Sequence, residues 1–200
     1  MEARESLHVN KKQFILEKSR RLFYNVGIRL VSMDDIAKEC GISKKTICFY
    51  FENKSEVVRM VLQLYLEEFE DSLNNIISSA CNPVDELKSL IKSLFSVQGR
   101  MSALAIKDLK EYYAGIYGNA VHQNKSALSK FLKRNIASGV KKGWYLPIEY
   151  IDKFIKTFIE FIAFIFLEKE PYFIKEDEAL QFGTLMINVL ADEKGKAYLL

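Results

Sequence analysis

An all-α fold is what this sequence predicts, on three observations. Its 200 residues hold only three prolines and nine glycines, so few positions punctuate a helix. Apolar residues recur three and four apart over long stretches, the period of one helix face. Runs that alternate apolar and polar residues, the mark of strands, are few.

About nine helices follow in chain order. The first is predicted near 10–26, where Ile15, Leu22, Phe23 and Val26 recur at helical spacing and stop at Gly27, a natural C-terminal cap. The second, near 33–40, opens on Ser32, with Asp35 three residues on in a capping-box position. The third, near 44–50, opens on Ser43. The fourth starts at Lys54 behind an Asn53–Glu56 capping pair and runs to about 80, where Asn82-Pro83 breaks the chain. The fifth, near 84–97, carries Leu87, Leu90, Ile91, Leu94 and Phe95 on one face. The sixth lies near 101–117. Gly118-Asn119 then mark a turn, and the seventh runs to about 142, ended by Gly143. Pro147 opens the eighth, near 148–168, and Pro171 separates it from the ninth, near 175–193. No internal repeat or low-complexity segment interrupts this order.

Residues 32–51 carry the chemistry. Two short helices that pack steeply need apolar residues at fixed offsets, and Ile36, Cys40, Ile42, Ile47 and Tyr50 supply them. They need a small residue at the crossing, which is Ala37, and a tight turn, for which Gly41 is placed. This is a helix-turn-helix unit, whose second helix enters the major groove of DNA. Ile47 must point inward, with Tyr50 at the edge of the packing. Lys44, Lys45, Cys48 and Phe49 then face outward, with Thr46 at the rim. The lysines can bond guanine O6/N7 or phosphate, and Phe49 can pack on a thymine methyl.

Other function classes find little support. Hydrophobic content of 49% with 28% charged residues is ordinary for a globular protein. The first twelve residues are charged and polar, unlike a secretory signal. The most apolar run, Phe158 to Leu167, is broken by Glu160 and is too short to span a bilayer, so no membrane association is expected. Cys40, Cys48 and Cys81 show no metal-ligand spacing, and an odd count points to reduced thiols and a cytoplasmic location. His8 and His122 are too few and too far apart for a metal site or an obvious triad. No Walker or Rossmann glycine pattern occurs. No nucleophile–base constellation is present, so the sequence predicts neither an enzyme nor a cofactor or metal. The net charge of +3 lies entirely in residues 1–56, which hold 11 Lys/Arg against 8 Asp/Glu, while the remainder balances. That placement suits a nucleic-acid partner.

Residues 15–62 resemble the DNA-binding region of the TetR family of bacterial transcriptional regulators. The matching positions are Leu22-Phe23, Gly27, Ser32, Ile36-Ala37, Gly41, Ser43, Thr46, Tyr50-Phe51 and Lys54. KDLKEYY at 107–113 and GVKKGWY at 139–145 are similar to one subgroup of that family. The resemblance implies a DNA-binding domain over 1–53 and a ligand-binding and dimerisation domain over 54–200, with the fourth helix connecting them. It adds Tyr50 and Lys54 as phosphate contacts. The expected DNA-binding set is thus Ser32, Ser43, Lys44, Lys45, Thr46, Cys48, Phe49, Tyr50 and Lys54. Two positions depart from the family pattern, which commonly has a small residue at Lys45 and Tyr at Cys48. Loss of that hydroxyl removes a phosphate contact, and the Lys45 charge can replace its electrostatic effect.

The resemblance further implies a homodimer on a palindromic double-stranded operator, and a small-molecule inducer. The expected ligand-lining residues are Phe95, Tyr112, Tyr113, Tyr117, His122, Phe158 and Phe161, drawn from an aromatic-rich body. The alternatives are a filled core, and a regulator of the same fold that answers to a protein partner. The eighth helix reads as apolar nearly all round, from Phe154 to Phe166, which points to a dimer interface through the eighth and ninth helices.

Overall fold

A computed structural model describes the backbone over residues 2–98, 101–163 and 176–198, and side chains over 10–94, 101–163, 181 and 183–198. Ten helices occur among the described residues: α1 Glu2–Val26, α2 Met33–Cys40, α3 Lys44–Tyr50, α4 Lys54–Ser79, α5 Pro83–Gln98, α6 Ala103–Tyr112, α7 Ala114–Lys141, α8 Ile151–Ala163, α9 Glu176–Leu190 and α10 Glu193–Ala197. The all-α expectation holds, and no strand is present among them.

The chain forms two compact units, Met1–Glu67 with Arg100–Val121, and Glu68–Gly99 with His122–Leu200. The first unit packs around Ile15, Phe23, Ile36, Ile47, Phe51 and Val57, which are nearly inaccessible, with Ala105 and Leu109 of α6 joining the same core. The second packs around Leu90, Ile136, Ile155 and Ile187, contributed by α5, α7, α8 and α9.

Most helix ends fall where the sequence puts them, because local chemistry sets them. Gly27 (φ +90°) and Gly41 (φ +64°) adopt the left-handed conformation that glycine tolerates. The Gly41 N–H donates to Lys38 O at 3.1 Å and the Ile42 N–H to Ala37 O at 3.0 Å, the paired bonds of a Schellman cap.

Four boundaries differ. The first helix starts at Glu2 rather than near residue 10. The sixth helix stops at Tyr112, and a new helix starts at Ala114, so Gly115 and Gly118 lie inside α7 rather than at a turn. The break is at Tyr113, whose backbone (φ −134°, ψ 36°) leaves the helical region. A helical glycine costs about 1 kcal/mol against alanine, too little to break a helix whose Ala120 is buried in a core. The eighth helix starts at Ile151, not near Pro147. Just before Pro147 the chain is tied back, with the Leu146 N–H donating to Leu190 O at 2.9 Å and Tyr145 bridging to Ala191, and Glu149-Tyr150 turn before α8 begins. That same pairing ends α9 at Leu190. Asp192 then caps the short α10 by accepting the Gly195 N–H at 2.9 Å.

Two glycines allow close packing in the second unit. A Cβ on Gly139 would stand 1.9 Å from the Tyr145 ring, and one on Gly183 would stand 2.3 Å from the end of Ile91. The segment from Gly139 to Tyr145, noted for its resemblance, is therefore a folded-back corner in which an aromatic ring covers a bare stretch of helix. Helix α8 buries Ile155, Phe158, Ile159 and Ile162, while Asp152, Lys153, Lys156, Thr157 and Glu160 are exposed. Over its described length it is amphipathic, not apolar nearly all round, because the 3.6-residue period gathers those four apolar residues on one face. Phe164, Ile165 and Phe166 lie outside the described residues.

Candidate nucleic-acid interface

The interface begins with how α2 and α3 are capped. The Ser32 hydroxyl oxygen accepts the Asp35 N–H at 3.1 Å, and Asp35 Oδ2 accepts the Ser32 N–H at 2.8 Å. This reciprocal capping box satisfies two otherwise orphaned amides. The Ser32 bonds also hold the Asp35 carboxyl below its usual pKa. Ser43 does the same for α3: its hydroxyl oxygen accepts the Thr46 N–H at 3.1 Å, and the two hydroxyls lie 2.8 Å apart. The expected Asn53–Glu56 pair forms at α4. Asn53 Oδ1 accepts the Glu56 N–H at 3.0 Å, and Glu56 Oε2 accepts the Glu52 N–H at 2.7 Å.

Helix α3 turns Ile47 fully inward and leaves Lys44, Lys45, Cys48 and Phe49 on its outer side, with Thr46 and Tyr50 half-buried. The Phe49 ring is 70% exposed and meets Tyr50 edge to face at 5.3 Å. Exposing a phenyl ring costs solvation free energy, and a monomer's own fold gives no reason to place it there. A thymine methyl is one surface that would cover it. Cys48 is a free thiol on the same face, whereas Cys40 is buried behind it. Burial raises the Cys40 thiol's pKa, as expected of an inert core cysteine.

The cations differ from one another. Lys44 Nζ is paired with Asp34 Oδ2 at 2.7 Å, and that hydrogen bond raises its pKa. Both side chains are exposed, so a phosphate can compete for this lysine. Lys45 is exposed on the outer side. Lys54 is half-buried and donates from Nζ to Arg29 O at 3.1 Å. Burial lowers its pKa, while the carboxylates of Asp108 and Asp35 oppose that shift.

Asp108 and Arg29 were not singled out from sequence. Asp108 is 4% exposed and accepts the Arg29 N–H at Oδ2, 2.7 Å away. The signal was present: Asp108 falls in phase with Ala105 and Leu109 on the inward stripe of α6, where a carboxylate is out of place unless it has work to do.

Of the seven residues expected to line a ligand site, Tyr112, Tyr113 and Tyr117 fall in the first unit and His122, Phe158 and Phe161 in the second. Tyr112 is 47% exposed, with the Arg29 guanidinium over its ring at 5.1 Å. Tyr113 and Tyr117 pack against the core of the first unit, and burial raises the Tyr113 pKa. His122 and Phe161 are exposed in the second unit. The side chain of Phe95 lies outside the described residues. Of the six whose side chains are described, Phe158 alone lines the small cavity in the second unit, with Leu87, Leu132, Phe154, Met186 and Leu190 among its neighbours. That cavity is wholly apolar and has a volume of about 20 Å³. The Tyr113 and Tyr117 rings are used in building the first unit's core, whereas that of Tyr112 is largely on its surface.

No group of His, Cys, Asp and Glu capable of holding a metal occurs among the described residues. No described helix is long and apolar enough to cross a membrane.

Comparison with known proteins agrees with this geometry. The family model for bacterial regulatory proteins of the tetR family matches residues 15–61, which span α2, α3 and their supports. The chain is 27% identical over 150 residues to the HTH-type transcriptional regulator YhgD of Bacillus subtilis, covering 72% of this chain and 76% of that one. It is 24% identical over 165 residues to IcaR of Staphylococcus aureus, the HTH-type negative transcriptional regulator of the biofilm operon icaADBC, covering 72% and 87%. In fold it is similar to a TetR transcription regulator from Haloarcula marismortui, with a TM-score of 0.72 at 18% identity over 92% of this chain and 100% of that one. These relatives are transcriptional regulators and not enzymes. With its capped helix-turn-helix and outward-facing α3, residues 15–61 carry the DNA-binding region of the tetR family of bacterial regulatory proteins, and the chain is a DNA-binding transcriptional regulator.

Proposed function

We propose that this regulator is a repressor that binds a palindromic operator as a homodimer and is released by a small apolar ligand. The observation that carries the DNA part is the outer side of α3, where exposed Lys45, Cys48 and Phe49 stand beside the half-buried Thr46 on a helix anchored from behind by Ile47. Ser32, Ser43, Lys44, Tyr50 and Lys54 complete the DNA-facing set. Lys45 and Phe49 are assigned to base edges, and Lys54 and Tyr50 to phosphate. Repression is supported by similarity to a negative regulator.

Dimerisation is assigned to α8 and α9. Phe161, Leu185 and Val189 are 41%, 61% and 62% exposed there, more large apolar surface than isolated solvent-facing positions require. Two-fold symmetry of the protein then calls for matching half-sites in the duplex.

The ligand part is supported by the apolar cavity lined by Phe158. A volume of about 20 Å³ holds roughly one water-sized probe, so a ligand must widen it by moving side chains such as Met186. This small size favours the second reading, control by a protein partner, over a preformed pocket. One experiment separates them. The full-length protein is bound to a duplex enriched from a random-sequence library, and small apolar molecules are screened for raising the melting temperature and releasing the DNA together. A compound that does both establishes ligand control. A saturating library with neither effect leaves the DNA-binding role and removes the ligand.

A further inference from the structure

Arg29 lies in the loop between α1 and α2, and both polar groups of its backbone are taken by side chains from other helices. Its N–H donates to Asp108 Oδ2 at 2.7 Å, and its C=O accepts from Lys54 Nζ at 3.1 Å. Its guanidinium lies over the Tyr112 ring at 5.1 Å. Asp108 and Tyr112 both belong to α6, so one helix holds this residue through main chain and side chain alike. Gly27 makes room for the grip: a Cβ there would stand 3.1 Å from Asp108 Oδ2.

A carboxylate at this position is expensive. Asp108 is 4% exposed between the buried Ala105 and Leu109, and burial of an anion is unfavourable unless hydrogen bonds and charge offset it. An aliphatic residue would fill the same phase of α6 without that cost. What the carboxylate does is local. It fixes the loop that leads into Ser32, and it attracts the Lys54 ammonium, which Asp35 also attracts from α2. An ammonium has three donors, so Lys54 can keep Arg29 O and still offer N–H groups to a phosphate.

We propose that Asp108 is a positioning residue for DNA binding: from α6 it holds the Arg29 peptide in place, so that Lys54 is seated where a backbone phosphate meets it. This rests on the reading of Lys54 as a phosphate contact. The geometry makes the role indirect, since Asp108 is buried and repels phosphate. Its effect passes through the Arg29 peptide to Lys54.

The test is a cycle on the full-length protein, with affinity measured by fluorescence anisotropy on a duplex enriched from a random library by the wild type. Asp108→Leu fills the volume but cannot accept the Arg29 N–H. It should weaken binding about tenfold, the scale of one charge-assisted hydrogen bond, and lower the salt slope by about one, the change also expected of Lys54→Ala. Asp108→Asn, whose Oδ1 still accepts the N–H, should recover most of the affinity. In the Lys54→Ala background, Asp108→Leu should add nothing. A full further loss in that background, or an unchanged salt slope, would overturn the proposal in favour of a merely structural role. A second measurement needs no DNA. Reductive methylation of Lys54 Nζ should be faster in Asp108→Leu than in the wild type, and an equal rate would sink the idea. If the wild type enriches no duplex, the DNA-binding reading fails, while the methylation rate still decides whether Asp108 seats Lys54.

Discussion

Lys45 and Lys54 stand nine positions apart and should fail in different ways. Lys54 is tied to the Arg29 carbonyl at the start of α4, and its proposed contact is to phosphate alone. Lys54→Ala is expected to weaken all duplexes alike. Lys45 is exposed on the outer side of α3, where a base contact discriminates by about 1–3 kcal/mol. Lys45→Ala is expected to relax preference at one operator position, read by binding to a panel of single-base variants. Equal loss across that panel would make Lys45 a phosphate contact. Tyr145 makes a prediction about pH. Burial first, then the charge of Glu86, pushes its hydroxyl pKa well above the usual range, against a smaller pull from Asn135. A tyrosine whose folded pKa exceeds its unfolded value, near 10, contributes stability that is complete below that value and is lost as pH rises above it. Urea midpoints measured from pH 8 to 11 should fall at the alkaline end in the wild type and fall less in Tyr145→Phe. Parallel curves would show that other groups govern alkaline unfolding.

Caps and close approaches decide where elements start, stop and meet. Ser32 is exposed, yet it carries half of the capping box on α2. Ser32→Ala is expected to cost about 1 kcal/mol of unfolding free energy, and to weaken DNA binding if the start of α2 also faces the duplex. Gly139 behaves oppositely, with no cap to lose but no space to spare. A methyl there would sit 1.9 Å from the Tyr145 ring, so Gly139→Ala should cost about 1–3 kcal/mol by overpacking. The cost should shrink when Tyr145 is replaced by Leu, because the two sites share one space. Additive losses in that double mutant would place the strain elsewhere. Such contacts were not legible from periodicity: a glycine in a helix reads as a weak point until the ring that covers it is known.

At the scale of the molecule the expected assembly is a dimer on two-fold DNA. Leu185→Glu on α9 should convert the protein to a monomer by light scattering at micromolar concentration and lower operator affinity, because half-sites would then be bound one at a time. A dimer that survives this change, together with Val189→Glu, would place the interface away from α9. Binding should also weaken steeply with salt, since Lys44, Lys45 and Lys54 would displace counterions.

The helix-turn-helix was determined by the sequence alone, down to Ser32, Gly41, Ser43 and the inward Ile47. Its signals are local: a cap, a turn and an apolar phase each act within a few residues and need no distant partner. The all-α class and most helix ends follow from the same short-range chemistry. Only the tertiary structure decided where side chains go once helices pack. It broke the chain at Tyr113 rather than at Gly118, and tied Tyr145 and Leu146 back to the end of α9 at Ala191 and Leu190. It spent Tyr113 and Tyr117 on one core and left Phe158 to line the cavity. It also brought Asp108 to Arg29 across 79 positions. Contacts of that separation are set by how helices pack, and helical periodicity records which face is apolar but not what it meets.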